Sequence, residues 1–243
     1  MEQNAQAMQE IMGRMRAAME RYGMIRAGDR VAVGVSGGKD SLTLLCALAG
    51  LRSYYPEPFE LTALTADPCF GGRETDFSAV GRLCGELNVP YVLRRTRLGE
   101  IVFEERQEPN PCSLCARMRR GILHKMAKEN GCTCLALGHH ADDAAQTLLM
   151  NLLYGGRIAC FSPKTYLTRR DLTLIRPMIF CRESEIAAAA VRCGLPVVKS
   201  RCPADGNTSR RKTADLICLL ERDHPGLKAG LLGAMQRGGI SGW

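Results

Sequence analysis

Aromatic side chains are scarce in this chain. Phe, Trp and Tyr make up 5% of its 243 residues, with a single Trp. A core built with so few rings has to be aliphatic. The 46% hydrophobic content is enough to fill one large domain, or one domain with a small extension. Long apolar runs are missing too. No stretch approaches the roughly 20 residues that a membrane-spanning helix requires. Met1 to Met15 is polar and charged, without the apolar centre of a secretory signal. These absences predict a cytoplasmic protein with no membrane partner. Acidic residues are outnumbered, with 25 Asp and Glu against 33 Lys and Arg, for a formal charge of +8. Such a surplus suits a polyanion, most often nucleic acid, although it also serves plain solubility. No internal repeat, low-complexity tract or long linker interrupts the chain.

Cysteine, by contrast, is plentiful, with twelve in all. Cytosolic thiols stay reduced, so clustered cysteines suggest metal or redox chemistry and scattered ones suggest core filler. Cys46, Cys84, Cys193 and Cys218 fall on apolar helical faces and read as small buried hydrophobes. Cys132 and Cys134 lead into an apolar strand and also read as core.

The apolar pattern alternates between short runs and helical periods. Ala5 to Arg21 reads as an amphipathic helix that caps the core. Strands are expected at Val31 to Val35, Leu61 to Ala66, Tyr91 to Arg95 and Cys134 to Leu137. Helices are expected at Asp40 to Leu51, Thr75 to Leu87, Ser113 to Lys128, Asp142 to Leu153, Glu183 to Arg192 and Arg210 to Glu221. Gly155 to Leu174 reads as loop-rich. This alternation predicts an α/β fold, a doubly wound parallel sheet with helices on both faces. The division expected is an N-terminal helix over 1–28, a central α/β domain over 29–182 that carries a C-x-x-C, and a helical C-terminal extension over 183–243 with a further cysteine.

Between the first strand and its helix stands Ser36-Gly37-Gly38-Lys39-Asp40-Ser41. Two glycines without Cβ atoms let backbone N–H groups close on an anion, and the helix N-terminus adds positive dipole. Lys39 supplies a charge, and Ser36 and Ser41 supply hydroxyls. The loop is not a Walker A motif, because Val33 stands where the first Gly is needed and Asp40 follows Lys39. The glycine spacing does not fit the dinucleotide fingerprint either. A bare strand-to-helix turn would need no Lys, Asp and serines around its glycines. The segment resembles the signature of the PP-loop family, the N-type ATP pyrophosphatases. That resemblance implies adenylation, in which a substrate oxygen attacks the ATP α-phosphate and pyrophosphate leaves.

A second motif, Gly138-His139-His140-Ala141-Asp142-Asp143, follows a strand and opens a helix. Carboxylates at a helix start either cap N–H groups or hold magnesium near phosphates. Asp143 is the stronger candidate for Mg²⁺ or catalytic contact, Asp142 the weaker, and His139 is expected near the nucleotide. Ala66 and Asp67, at the end of the second strand, are expected beside adenosine.

Cys112 and Cys115 form a C-x-x-C at a helix start, where the dipole favours thiolate. The pair is compatible with zinc, an iron–sulfur cluster or a redox couple. A closed zinc site needs four ligands, and no second C-x-x-C exists. Cys202 lies in a polar, basic loop, an odd place for filler. Three thiolates would suit a cluster with one iron left open. Arg117, Arg119 and Arg120 follow the pair, Arg201, Arg210, Arg211 and Lys212 flank Cys202, and Arg94, Arg95 and Arg97 end the third strand. Each alone is a solvated charge, but grouped they suit RNA phosphates.

Taken together, SGGKDS, CSLCARMRRGIL, GHHADDAAQTLLMNLLYGG, Ile175-Arg176-Pro177, Cys181-Arg182-Glu183 and a lone downstream cysteine occur in an order similar to that of the tRNA 2-thiocytidine synthetases (the TtcA enzymes). The likeness spans about residues 8 to 237. It implies ATP-dependent thiolation of a tRNA cytidine, expected at position 32, with a [4Fe–4S] cluster on Cys112, Cys115 and Cys202. O2 of the cytidine is adenylated, sulfur replaces it, and AMP departs. The cofactors implied are ATP, Mg²⁺ and the cluster. The partners implied are tRNA and a cysteine desulfurase or other sulfide source, with a homodimer as one assembly open to the chain. Two rival readings stand beside it. One is a PP-loop enzyme of another substrate class, such as a lysidine-synthetase-like ligase or a small-molecule sulfurtransferase. The other is a zinc-bound RNA-binding module without catalysis.

Overall fold

The computed structural model describes residues 2–106, 111–204 and 209–243. Its centre is a six-stranded sheet: β1 (Asp29–Gly34), β2 (Phe59–Asp67), β3 (Tyr91–Arg95), β4 (Cys134–Ala136), β5 (Lys164–Leu167) and β6 (Leu172–Ile175). The order across the sheet is β3-β2-β1-β4-β6-β5, parallel throughout except for the antiparallel β5–β6 pair. The long helices are α1 (Glu2–Arg21), α2 (Lys39–Leu51), α3 (Ser78–Glu86), α5 (Pro111–Glu129), α6 (Ala141–Gly155), α7 (Glu183–Arg192), α8 (Ser209–Asp223) and α9 (Leu227–Arg237), with a single turn α4 (Leu98–Glu100).

Strand alternation sorts the core into two layers. Val31, Val33, Leu61, Ala63 and Ala136 face the side covered by α1, α2 and α7. Ala32, Leu64, Leu135 and Leu174 face the other side, against Leu123 and Met126 of α5. β1 therefore reads as a continuous apolar run because both of its faces are covered. α2 (KDSLTLLCALAGL) is apolar nearly all round, since α1 and α7 pack over it while its other side lies on the sheet. α1 is more than a surface cap: Ile11, Met15 and Met19 are fully buried within the main core, as is Met235 of α9.

Three expectations from the sequence change. The segment 155–174 is not all loop, because Lys164–Leu167 and Leu172–Ile175 pair as a hairpin that extends the sheet. α3 begins at Ser78 rather than Thr75. The Asp67 carboxylate takes the Thr75 N–H at 2.8 Å and Asp76 takes the Ser78 N–H at 2.8 Å, so residues 75–77 form a capped loop. Cys218 is exposed, because α8 buries only a narrow face through Thr213 and Ile217. Cys46 and Cys193 are half-buried, and Cys84, Cys132 and Cys134 are buried. Burial pushes the Cys46 and Cys134 thiols up to about 12, which suits inert filler. Among the described residues no helix is long and apolar enough to cross a membrane.

Leu48 is fully buried at the centre of α2. Its replacement by Ala should lower unfolding free energy by about 2–5 kcal/mol in urea titration, through lost burial and the cavity left behind.

Candidate active site

From β1 the chain builds β2 and β3 to one side, then returns for β4 and β6 on the other. Crossovers that diverge from neighbouring strands leave a crevice beyond the strand ends, where open α/β sheets bind ligands. A cavity of about 660 Å³ lies there, reached by Gly34, Ala66, Leu137 and Arg176 from the ends of β1, β2, β4 and β6.

The 36–41 loop is tied into one shape. Ser41 Oγ donates to the Gly38 carbonyl at 2.9 Å and accepts the Ser36 N–H at 3.1 Å. The Ser36 and Ser41 hydroxyls lie 3.2 Å apart. Gly37 is required twice over. Its φ of +83° is in the left-handed region, and an added Cβ would come within 2.8 Å of Val198 Cβ. Its carbonyl accepts the Val198 N–H at 2.9 Å. The first turn of α2 thus stands at the cavity wall, where its N–H groups have no partner one turn back.

Of the residues singled out in the sequence, Ser36, Gly38, Asp40 and Ser41 line the cavity, as do Ala66, Gly138 and His139. Gly37, Lys39, Asp67, Asp142 and Asp143 do not line it, and each is engaged elsewhere. Asp67 is fully buried and builds the following loop through the Cys69 and Thr75 N–H groups, at 3.1 and 2.8 Å. Lys39 Nζ lies 3.1 Å from both Asp40 Oδ1 and Glu183 Oε1. Burial draws its pKa down, but those carboxylates outweigh burial and hold it above the usual lysine value. Asp142 Oδ1 meets Lys228 Nζ at 2.7 Å, and Oδ2 accepts the Glu183 N–H at 2.7 Å. Asp143 closes a capping box with His140 and pairs with Arg210 at 2.6 Å. The capping reading therefore holds for Asp143, which closes the box at the start of α6 and also pairs with Arg210. The partners Glu183, Arg210 and Lys228 come from α7, α8 and α9.

The rest of the cavity is basic. Arg119, Arg120, Arg176, Lys199, Arg201 and Arg210 line it, against the single carboxylate of Asp40. Arg176 is 6% exposed, and its Nη1 donates to the Ser162 carbonyl at 2.5 Å. Its guanidinium lies 5.0 Å from the centre of the Phe161 ring, and the His139 ring packs on the same Phe161 at 5.0 Å. Burial, then Arg176, lowers the His139 pKa to about 4, so this imidazole is neutral at pH 7. Burial, then Arg120, draws Arg176 down to about 10, still fully charged at neutral pH.

Cys112, Cys115 and Cys202 do not line the cavity, although their neighbours Ala116 and Arg201 do. Cys112 is exposed in the first turn of α5, and Cys115 is buried one turn on, with Arg119 Nη2 3.6 Å from its sulfur. Burial pushes the Cys115 thiol up, Arg119 pulls it back, and both Cys202 and Cys112 act on it as neighbouring negative groups. Cys202 is half-buried on the loop that follows Val198. Cys112 and Cys202 are thus both near enough to Cys115 to be felt by it, but among the described residues no three His, Cys, Asp or Glu side chains are gathered closely enough to hold a metal ion.

Comparison with known proteins places this geometry. Residues 5–211 match the PP-loop domain family. The tRNA-cytidine(32) 2-sulfurtransferase of Syntrophotalea carbinolica is 41% identical over 217 residues, covering 88% of this chain and 83% of that protein. That of Geobacter sulfurreducens is 39% identical over 221 residues, covering 90% and 85%. Among solved structures, the U34-tRNA thiolase NcsA from Methanococcus maripaludis with its [4Fe-4S] cluster aligns with a TM-score of 0.78 at 27% identity, over 96% of this chain and 79% of that one. The chain belongs to the PP-loop family and, within it, to the tRNA-cytidine(32) 2-sulfurtransferases.

Sequence reasoning missed Phe161 and Lys228 altogether, and quoted Arg176 and Glu183 only as parts of motifs. An arginine set between Ile175 and Pro177, at the end of an apolar strand, was the available signal for Arg176. Nothing local marks Phe161 or Lys228, whose roles arise only when distant segments meet.

The Asp142–Lys228 pair has a pH signature. Burial pushes Asp142 up, but Lys228 and the Glu183 N–H hold its pKa below the usual carboxylate value. A depressed carboxylate contributes stability above its unfolded pKa and loses it as pH falls through the folded one. Lys228→Met should therefore lower Tm at neutral pH, by an amount equivalent to about 1 kcal/mol given the half-exposed lysine. Thermal melts should show the deficit closing as pH drops below the carboxylate range.

Proposed function

We propose that this chain is an ATP-dependent tRNA sulfurtransferase that replaces O2 of cytidine 32 with sulfur. One observation carries the reading. The loop that leads to Cys202 is hydrogen-bonded, through Val198, to Gly37 of the phosphate loop, so nucleotide and thiol segments border one cavity.

The roles follow from position. Ser36, Gly38 and Ser41 would hold the pyrophosphate at the N-terminus of α2, with Lys39 exchanging Glu183 for phosphate oxygens. Asp143 would take Mg²⁺ in exchange for Arg210. Asp142, held by Lys228 and a backbone N–H, is the less free of the two. Apolar Ala66, with Pro68 and Phe70 in the same wall, suits the adenine ring. Arg120, Lys199 and Arg201 suit RNA phosphates at the cavity mouth. Adenylation makes the cytidine O2 a leaving group, and the basic lining stabilises the charge that builds as AMP departs.

Cys112, Cys115 and Cys202 fit an iron–sulfur cluster by chemistry, since thiols are the usual ligands of such clusters and three of them leave one iron open. Ligand gathering commonly accompanies metal binding. Held on these thiols, a [4Fe–4S] cluster supplies the point from which sulfur reaches the activated carbon. A cysteine desulfurase or another sulfide source would provide that sulfur.

Transfer RNA from a strain lacking this gene should contain no 2-thiocytidine after digestion to nucleosides, and an unchanged level would refute the assignment. Protein purified without oxygen should carry iron and acid-labile sulfide rather than zinc. Cys112→Ala should lose thiolation and keep ATP binding, whereas a ligase would keep its activity.

A further inference from the structure

Arg176 is a buried cation. Among the described residues no carboxylate lies within ion-pairing distance of it. The titratable groups that act on it are the Cys160 thiol and Arg120. One of its donors is satisfied by the Ser162 carbonyl, while Nε is buried and has no hydrogen-bond partner. A buried charge with an unpaired donor is costly unless a partner meets it. His139 repeats the pattern on a smaller scale: its Nδ1 is buried and unpartnered, and the ring is neutral at pH 7. Both groups pack on Phe161, whose carbonyl accepts the Trp243 Nε1–H at 2.8 Å.

Their place in the sheet indicates what they would meet. The phosphate loop follows β1. The apolar wall of Ala66, Pro68 and Phe70 lies on the β2 side, whereas His139 and Arg176 follow β4 and β6 on the other. A nucleotide with its adenine on the apolar side leaves the β4–β6 side for the acceptor.

We propose that Arg176 and His139, held by Phe161, form the pocket that reads the target base, with Arg176 donating to the O2/N3 edge of cytosine and thereby excluding uracil. This rests on the sulfurtransferase reading and adds the residue that sets base identity. A guanidinium only donates. Cytosine offers two adjacent acceptors at O2 and N3, whereas uracil carries a proton on N3 that would face a donor. The neutral His139 offers an acceptor suited to the exocyclic amino group. A buried site built to pair with one pattern rejects the mismatched base because its own polar groups are left unpaired.

The test compares thiolation of tRNA transcripts carrying C32 or U32, with ATP affinity measured in parallel. Wild type should thiolate C32 and discriminate against U32. Arg176→Gln should lower kcat/KM on C32 by about 10- to 100-fold and collapse the C32:U32 ratio, with ATP affinity unchanged. Arg176→Lys keeps the charge but loses the planar fork, and should lose the ratio in the same way. Phe161→Leu should weaken discrimination while keeping the guanidinium, and serves if both Arg176 variants fail to fold. An unchanged ratio in folded variants overturns the proposal. So does an equal fall in ATP affinity, which would make Arg176 a phosphate ligand. Should wild type thiolate neither transcript, the sulfurtransferase reading falls by itself. Binding of cytidine against uridine monophosphate to wild type and Arg176→Lys then decides the pocket: a cytidine preference lost in the variant supports it, and no preference overturns it.

Discussion

The site depends on the reversal of strand order beside β1. Because β1 and β4 are hydrogen-bonded neighbours whose following segments turn in opposite directions, their C-terminal ends face an open crevice rather than a packed helix. The two loops that leave those strands, about a hundred residues apart in sequence, are forced together. Gly138 lies so close to the start of α2 that a Cβ there would come within 3.3 Å of the Asp40 carbonyl carbon and the Ser41 nitrogen. The N-terminus of α2 consequently stands at the opening, beside Gly138 and His139 of the loop that leads to α6. The positive potential needed for a triphosphate exists in the backbone before any lysine or arginine is counted.

Side-chain charge is then added around the crevice. Six cationic residues and one carboxylate line it. Arg176 is buried, whereas Arg120, Lys199, Arg201 and Arg210 are exposed, so salt screens the outer four more than the inner one. The two histidines of one motif serve differently. His140 is the N-cap of α6, tied to Asp143, whereas His139 is turned to the cavity and kept neutral by burial and Arg176.

How much of this was legible in the sequence follows from the range of the forces involved. β3 and α7 were readable residue for residue, and β1 was placed though read as Val31 to Val35 against Asp29–Gly34, because a short aliphatic run, or an apolar period closed by Gly194, is a local signal. The phosphate loop and the C-x-x-C were legible for the same reason: their residue types serve no ordinary turn. The β5–β6 hairpin was not. Lys164–Leu167 is half-buried at a sheet edge, so its pattern is weak beside the Gly155-Gly156 and Ser162-Pro163 signals around it. The roles of Asp67 and Asp142 were also hidden. A carboxylate at a strand end or helix start looks alike whether it awaits a ligand or holds a loop, and only the partners from Thr75, Glu183 and Lys228 decide.

Those partners have a consequence for how the C-terminal third is held. Lys39, Asp142 and Asp143 each pair with an opposite charge from it: Glu183, Lys228 and Arg210 complete the three pairs. The seam between α7, α8 and α9 and the two motif segments is therefore partly ionic, and ionic strength acts on that seam as well as on any charged ligand.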